Sequence, residues 1–375
     1  MTERCDVVVV GGGPAGAATA IALARAGRAV IVLERSHYDR MRIGETLPPV
    51  ARTPLANLGA WHRFIQQEHA PSPATISAWG APDLDENHFI FNPHGHGWHL
   101  DRRRFDEMLA SVAADCGASM RPGSRRTSCR PGVSGGWEVE YLRGGTVHRL
   151  QAAFLVDATG RASLLARRQG ARRMHFDRLV GVIGVFSALS LDSGSGKGDP
   201  TSGDGDYRTL VESVADGWWY SARLPQSAMV IAYMTDADLI PKIPEPLRAH
   251  WWSQLARTTH TRARVNGFAF EGPLRVMSAR SEMLDCTAGR HWLATGDAAV
   301  SVDPLSSQGI LYALRSGVAA AQAIEECRAG SRFALEELSR STRHSFDRYW
   351  YTRRMYYSRE RRWPDSVFWR RRVAG

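Results

Sequence analysis

Cys5-Asp6-Val7-Val8-Val9-Val10-Gly11-Gly12-Gly13-Pro14-Ala15-Gly16 opens the chain, and Ala17 to Ala26 and Val30-Ile31-Val32-Leu33-Glu34-Arg35 come after it. Four consecutive valines read as a short, fully buried strand of a parallel sheet. Gly11, Gly13 and Gly16 fill the first, third and sixth positions of a G-x-G-x-x-G. The alanine-rich run after them is a strong helix former. Val30 to Leu33 is the next strand, ended by Glu34. Gly11 lets the chain turn tightly, Gly13 lets backbone approach a pyrophosphate, and Gly16 lets the helix pack close to the strand. The helix N-terminus offers unsatisfied N–H groups and a partial positive charge to phosphates. Glu34 suits two ribose hydroxyls and would repel a 2′-phosphate. Strand, turn, helix, strand and acid in this order imply a site for the ADP half of FAD or NAD. The unit alone does not choose between them.

Composition narrows the class. At 375 residues the chain is long enough for one large or two medium domains with a substantial core. Cys5, Cys116, Cys129, Cys286 and Cys327 are scattered, odd in number and free of C-x-x-C, which argues against a disulfide scaffold and a zinc site. The N-terminus enters the first strand directly, without a signal-peptide pattern. The uncharged run Leu179 to Leu191 has thirteen residues with glycines among them, too few to span a bilayer. A cytoplasmic protein without a membrane span is the expectation.

The formal net charge is +10, yet lysine occurs only at Lys197 and Lys242. The excess is arginine, and it is local: Arg340 to Gly375 holds eleven Arg against three acids. No nucleic-acid motif accompanies it. The segment is read as a docking surface for an acidic protein partner or as plain solvated helix faces.

Further along, Arg42-Ile43-Gly44-Glu45-Thr46-Leu47-Pro48-Pro49 is a loop, with a helix expected over Val50 to Leu58. Ile76 to Gly80 is a candidate strand. His94, His96 and His99 alternate with glycines, but no carboxylate or cysteine completes a metal set, so a turn is favoured and no metal is assigned. Asp101 suits an N-cap for a helix whose Phe105, Leu109 and Val112 form an apolar stripe. Ala153 to Val156 is a buried strand, and Asp157 is read as capping the turn Asp157-Ala158-Thr159-Gly160 after it. Residues 176–270 alternate like antiparallel sheet, with strands expected over Leu179–Phe186, Tyr207–Ser213, Gly217–Ser221 and Ala228–Met234. Gly and Asp between Ser193 and Asp206 mark a loose loop. His291 to Ala294 is strand again. Gly296-Asp297 and Asp303-Pro304-Leu305-Ser306-Ser307-Gln308-Gly309 then lead into a helix over Ile310 to Ala329. Phe333 to Arg372 reads as helical.

G-x-G-x-x-G, then Asp-Ala-Thr-Gly, then Gly-Asp before a glycine turn and helix: in this order the motifs resemble the FAD-dependent aromatic hydroxylase superfamily, over most of the chain. The Arg42–Pro49 loop and the Asp303–Ile310 turn are similar to the branch of tryptophan halogenases and geranylgeranyl reductases. Gly217-Trp218-Trp219-Tyr220-Ser221 and the tail Glu360–Trp363 with Phe368-Trp369 resemble monooxygenases of that branch. Flavoproteins that modify tryptophan in maturing tryptophylquinone enzymes are among these.

The resemblance implies an α/β fold: a Rossmann-like FAD-binding domain with an inserted antiparallel-sheet substrate domain and a C-terminal helical segment. The implied divisions are 1–75, 98–175 and 271–330 for FAD binding, 76–97 and 176–270 for substrate, and 331–375 for the Arg- and aromatic-rich helices. It implies FAD held by Gly11, Gly13, Pro14, Ala15, Gly16, Glu34, Arg35, Arg42, Gly44, Arg102, Gly296, Asp297, Pro304, Gly309 and Ile310. Glu34 would take the adenosine ribose, Arg102 the phosphates and Asp297 the ribityl or pyrophosphate region. Gly309 and its helix would face the flavin N1–C2=O edge, where reduced flavin is negative. Glu45, Trp218, Tyr220 and Gln308 are the implied catalytic positions. No second G-x-G-x-x-G appears, so reducing equivalents come from transient NAD(P)H or an external flavin reductase.

Halogenases of the branch relay the halogen through a lysine. None lies between Glu45 and Arg102, and guanidinium is no substitute for an ammonium nucleophile. Hydroxylation needs less, because reduced flavin and O₂ give a C4a-hydroperoxide that is itself the oxidant. Two chemistries stay open, with a flavin-bearing binding factor as a third reading. One is hydroxylation of an aromatic substrate, an indole or a tryptophan in a peptide or protein. The other is reduction or dehydrogenation of the geranylgeranyl-reductase type. Trp218 and Tyr220 would wall a pocket or form sheet core, with Trp219 on the opposite face. His175 and Asp177 are read as a surface pair.

Overall fold

A computed structural model describes residues 2–132, 135–189 and 205–373. The loop expected over Ser193–Asp206 falls almost wholly outside the described residues. The chain forms two compact units.

The first unit comprises Met1–Glu68, Asp101–Asp177 and Ser281–Trp350. Its first strand, Glu3–Val10, is central, because Val7 to Val10 are buried on both faces. It pairs in parallel with Val30–Leu33 on one side (Val7↔Val30) and with Thr146–Asp157 on the other (Val7↔Phe154). Ser119–Arg121 extends the sheet past Val30–Leu33, and Trp292–Ala294 extends it past Thr146–Asp157. Between the first two strands runs helix Pro14–Arg25. Helix Gly309–Arg328 packs on it at backbone distance: a Cβ at Gly317 would overlap the Ala15 carbonyl, and Thr19 Oγ1 donates to the Gly317 carbonyl at 3.1 Å. Small residues on both helices make that approach sterically possible. A small sheet of Arg173–His175, Glu282–Leu284 and Val300–Ser301 completes the unit.

The second unit comprises His69–Leu100, Arg178–Arg280 and Tyr351–Gly375. Its seven-stranded sheet runs Phe268–Ser278, Leu179–Ala188, Ala228–Asp236, Gly217–Arg223, Thr209–Val214, Ala74–Ala78, Asp85–His88. The pairs are antiparallel except Thr209–Val214 with Ala74–Ala78. The strand Phe268–Ser278 belongs to this sheet although the sequence places 271–278 with the FAD-binding segment. It pairs with Leu179–Ala188 along most of its length.

Two features of this unit were not read from sequence. Helices Pro244–Ala256 and His260–Arg264 interrupt the sheet block. Pro244-Glu245-Pro246 with Leu247, Trp251 and Leu255 at four-residue spacing was the available signal. Glu212, buried on the sheet, accepts the amides of Thr259, His260 and Thr261 and so anchors the second helix start. The second feature is the tail. Residues 358–366, with Pro364, separate helix Ala334–Tyr357 from helix Val367–Val373, and residues 351–373 are tied into the sheet rather than standing apart. Arg372 sits 3.4 Å over the Phe368 ring and donates to Asp236 at 2.7 Å, both side chains almost wholly buried. Arg371 bridges Asp236 and Asp238. Arg353, buried 4.5 Å over the Tyr357 ring, serves the fold together with Arg362, Arg371 and Arg372, and the tail's charge is not all outward-facing.

Glu360 is the tail's other anchor. Its buried carboxylate accepts from Gly80 N (2.8 Å), Ser213 Oγ (2.7 Å) and Arg362 Nη2 (2.7 Å). Burial alone would raise its pKa, but these donors together outweigh it and hold the carboxyl at about 2, against an ordinary value of 4.5. A folded pKa below the unfolded one means stabilisation that is full above the ordinary value and lost as pH falls through the folded value. Thermal melts of the wild type should therefore show Tm falling between about pH 5 and about pH 2. Glu360→Gln should lower Tm at neutral pH and flatten that acid limb. An unchanged acid limb would remove Glu360 as its source.

Candidate functional site

The site is built in the first unit, where the strand Glu3–Val10 ends. Gly11 has φ +107°, and a Cβ there would overlap the Ala158 carbonyl. A Cβ at Gly16 would overlap the Gly11 carbonyl. These two glycines are steric requirements of the turn. Gly13 differs. It is the N-cap of helix Pro14–Arg25 in ordinary extended geometry (φ −73°), with no side-chain cap bond. A Cβ there would meet only Arg42 Nη1, at 3.8 Å. The fold does not need a glycine at 13, so the open space over it suits a ligand.

Glu34 sits 5 % exposed at the end of Val30–Leu33. Its Oε2 accepts from Gly12 N at 2.7 Å, and its Oε1 accepts from Ser36 N, Ser36 Oγ and Arg42 Nη2. Burial pushes its pKa up, but the Ser36 and Gly12 donors and the Arg42 charge pull harder, and the net direction is down. It is a carboxylate at neutral pH. Tyr38 Oη donates to the Gly12 carbonyl at 3.0 Å. Arg35 is exposed beside it.

Arg42 and Arg102 converge on a residue that sequence reading missed. Asp106, buried on helix Arg102–Asp115, accepts from Arg42 Nη1 at 2.9 Å and from Arg102 Nε and Nη2 at 3.2 Å. Arg102 Nη1 also donates to the Ile43 and Gly44 carbonyls. Gly44 is left-handed (φ +96°), and its amide donates to the buried Glu45 carboxylate at 2.9 Å. Both guanidiniums thus brace the Arg42–Glu45 loop. The i,i+4 spacing of Arg102 and Asp106 was the signal for this. Asp101 caps the helix as expected, accepting from the Arg103 and Arg104 amides. Asp157 caps the turn after its strand, accepting from Thr159, Leu165 and Ala166.

The second half of the site is the Gly296–Ile310 segment. Gly296 has φ +60°, and a Cβ there would lie 2.6 Å from Ala15 Cβ. This places the Gly-Asp turn against the first turn of helix Pro14–Arg25. Asp297 is partly exposed, 3.6 Å from Arg161 Nε. Its carbonyl accepts from Arg173 Nη2 at 2.7 Å and Ser301 Oγ at 3.1 Å. Arg173 is itself buried against Glu282 at 2.9 Å, and His175 Nδ1 lies 2.8 Å from the other Glu282 oxygen. His175 is thus a partner of Glu282, and Asp177 accepts from the Ser281 amide. Pro304, Gln308 and Gly309 are exposed, and Ile310 is buried beneath them. Helix Gly309–Arg328 starts without a side-chain cap bond, and a Cβ at Gly309 would meet nothing within 4 Å. Two helix N-termini in this unit therefore present backbone N–H groups at glycines with free space above them. A dinucleotide with an anionic pyrophosphate and a ring that gains negative charge fits such a donor set.

The aromatic positions of the second unit are placed differently. Trp218 is fully buried; its Nε1 donates to Tyr357 Oη at 2.9 Å, and its ring meets Trp79 edge-on. Trp219, on the other sheet face, stacks on Tyr233 at 4.9 Å and meets Trp251. The expected alternation is there, but both tryptophans are sheet core, and Trp218 shows no surface to a substrate. Tyr220 is half-buried. His99 Nδ1 lies 2.7 Å from the Arg223 carbonyl and Nε2 2.8 Å from Thr209 Oγ1. Burial pushes it down to about 4, so it is neutral. Among the described residues no cluster of His, Cys, Asp or Glu is arranged to hold a metal, and no helix is long and apolar enough to cross a membrane.

Comparison with known proteins agrees with this geometry. The FAD binding domain family matches residues 4–332. A protein of Marinomonas mediterranea that carries the name FAD-dependent oxidoreductase LodB is 30% identical over 99% of this chain and 98% of its own length. The solved structure of QhpG, a peptidyl tryptophan dihydroxylase essential for tryptophylquinone cofactor biogenesis, has a TM-score of 0.80 and 28% identity, covering 98% of this chain and 78% of that one. The myxobacterial chondrochloren halogenase CndH shares the fold, with a TM-score of 0.87 at 24% identity over 99% of this chain and 86% of its own.

Gly13 separates a ligand requirement from a folding requirement. Gly13→Val should cost the apo-protein no more than about 1 kcal/mol, the order of a poorer N-cap. It should raise the FAD dissociation constant at least about tenfold, read by flavin fluorescence. Equal loss of stability and affinity would return Gly13 to the fold. With the family match spanning most of its length and the glycine turns in place, the chain belongs to the FAD binding domain family, in the FAD-dependent monooxygenase and halogenase superfamily, and is an FAD-dependent oxidoreductase.

Proposed function

We propose that this flavoprotein is a monooxygenase that hydroxylates an indole, in the form of a tryptophan side chain presented by a peptide or protein. The observation that carries the reading is the distribution of lysine. The only two, Lys197 and Lys242, fall outside every segment of the first unit. The ammonium that would relay a halogen has no candidate there, although several relatives are halogenases. Full-length similarity to LodB and the likeness to QhpG support the substrate class. A second reading, reduction of a quinone or alkene, is favoured by 28% identity to a menaquinone reductase of Mycolicibacterium smegmatis over 86% of this chain.

When bound, FAD supplies the redox chemistry by activating O₂. The chain's own residues do the rest. Glu34 takes the adenosine ribose hydroxyls, exchanging its intramolecular donors for them. The Gly11–Gly16 turn and the first turn of its helix hold the pyrophosphate, with Arg42 and Arg102 kept nearby by Asp106. Asp297 hydrogen-bonds the linker between phosphate and flavin. The amides at Gly309 and Ile310 would donate to the flavin, and the dipole of their helix would favour its negatively charged reduced form. Gln308, exposed before that helix, would orient substrate through its side-chain amide, and the Gly44–Glu45 loop would shield one edge of the ring. Electrons arrive from NAD(P)H bound transiently or from an external flavin reductase, since the single glycine fingerprint is taken by FAD.

Two measurements test this. Under isotopically heavy O₂, with reduced flavin regenerated, a tryptophan-containing peptide should gain labelled oxygen. A mass change of two hydrogens without label would replace monooxygenation by the reductase reading. The docking of a protein substrate is assigned to the exposed arginines of the tail, Arg354, Arg359 and Arg361, facing an acidic partner. Deleting the tail is a poor test, because Glu360, Trp369 and Arg372 belong to the sheet unit's core. Reversing all three charges to Glu should instead abolish salt-sensitive pull-down of a protein substrate while FAD stays bound. Unchanged capture would reject that face.

A further inference from the structure

We propose that Tyr349, which lies beyond the family-matched residues 4–332, is a positioning residue for the cofactor, acting through the Asp303 amide on the Asp303–Gly309 turn. The proposal rests on the reading that this turn faces the flavin.

Tyr349 Oη accepts the Asp303 N–H at 2.8 Å and shares a second hydrogen bond with Ser281 Oγ at 2.7 Å. A phenol has one proton to donate and lone pairs to accept with. Taking the amide proton leaves Oη its own proton and a second lone pair, either of which can serve the bond with Ser281 Oγ. Asp303 has no exposed surface, so its amide cannot exchange this partner for bulk water without opening the turn. Asp303 in turn organises the residues after it. Its carboxylate accepts from Leu305 N at 2.9 Å, and its carbonyl accepts from Ser306 N (3.1 Å) and Ser306 Oγ (2.8 Å). The chain then passes through Ser307, a non-glycine residue held left-handed at φ +50°, before reaching Gln308 and Gly309. Such a conformation persists only where its surroundings determine it. The opposite end of the segment is fixed separately, by Arg173 and Ser301 on the Asp297 carbonyl.

The tether itself is rigid. One turn before Tyr349 on helix Ala334–Tyr357, Phe346 is buried against Met283 and Val300. Phe346 also packs on Phe176, at 4.6 Å between ring centroids, and on Tyr349 at 5.6 Å. Met283 and Val300 lie on paired strands of the small sheet. The middle of helix Ala334–Tyr357 thus holds the turn from behind.

The experiment compares Tyr349→Phe, Ser281→Ala and Gly309→Leu by FAD affinity of the apo-proteins, at a temperature where circular dichroism shows each folded. Tyr349→Phe removes only the hydroxyl and should raise the FAD dissociation constant about tenfold, the order of one lost hydrogen bond. Ser281→Ala touches the same hydroxyl but not the turn, so it should lower Tm while leaving affinity within about twofold. Equal losses of affinity in these two variants would make the hydroxyl merely structural and overturn the proposal. Tyr349→Phe without effect beside a weakened Gly309→Leu would overturn the tether and leave the flavin placement intact. If neither weakens FAD binding, the turn does not face the cofactor and both readings fall.

Discussion

Four backbone segments meet around the first turn of helix Pro14–Arg25, and no side chain fits among them. The strand end at Gly11 abuts the Ala158 carbonyl, Gly16 abuts Gly11, Gly296 abuts Ala15, and Gly317 abuts the Ala15 carbonyl. These glycines come from separate stretches of sequence. The close approach is what brings the Asp297 turn and the helix at Gly309 into one unit with the Gly11–Gly16 loop. A Cβ at Gly11, Gly16 or Gly317 would displace backbone, and one at Gly296 would meet the rigid Ala15 methyl, never a pliable side-chain end. Gly13 and Gly309, with free space above them, are the counterexamples. The contrast separates the glycines that packing requires from two that packing does not.

Electrostatics around that point is arranged by burial. Glu34 and Asp106 are both buried, and Arg42 touches both. Arg102 shares Asp106 and two loop carbonyls. Holding two guanidiniums on one buried carboxylate fixes their positions and compensates a charge that would be costly alone. The same device recurs at Arg173, Glu282 and His175 behind the Asp297 turn. At Asp106 the buried acid aligns guanidiniums from a loop and a helix, whereas Glu282 holds two neighbours of one strand, so the Arg42–Glu45 loop is positioned by charge as well as by packing.

How much of the structure is legible in the sequence depends on how local the cause is. The first strand, turn, helix and strand were legible because buried valines, glycine sterics and helix propensity act within thirty-odd residues. Asp101 and Asp157 were legible as caps for the same reason. Asp106 was not singled out, because its importance lies in Arg42, far back in the chain. Helix Pro244–Ala256 was hidden inside a block whose strands dominate the pattern. Trp218 was ambiguous in principle, since an aromatic in a strand has the same sequence signature whether it lines a pocket or packs under Tyr357 and Trp79. Only the covering elements decide, and those lie more than a hundred residues away on both sides.

The tail makes the same point about charge. Eleven arginines in thirty-six residues look like a surface. Four of them are bound up within the second unit, and Arg372 is as buried as the aromatics it packs on. A guanidinium suits this because it can stack on a ring and bond a carboxylate at once, which an ammonium does poorly. In a chain with two lysines, arginine does the work of both a solvated charge and a core cross-link, so a run's net charge overstates what a partner would meet. Arg354 and Arg370 on the two helices, and Arg359 and Arg361 on the stretch between them, are exposed by contrast, so the charge offered to solvent comes from only part of the run.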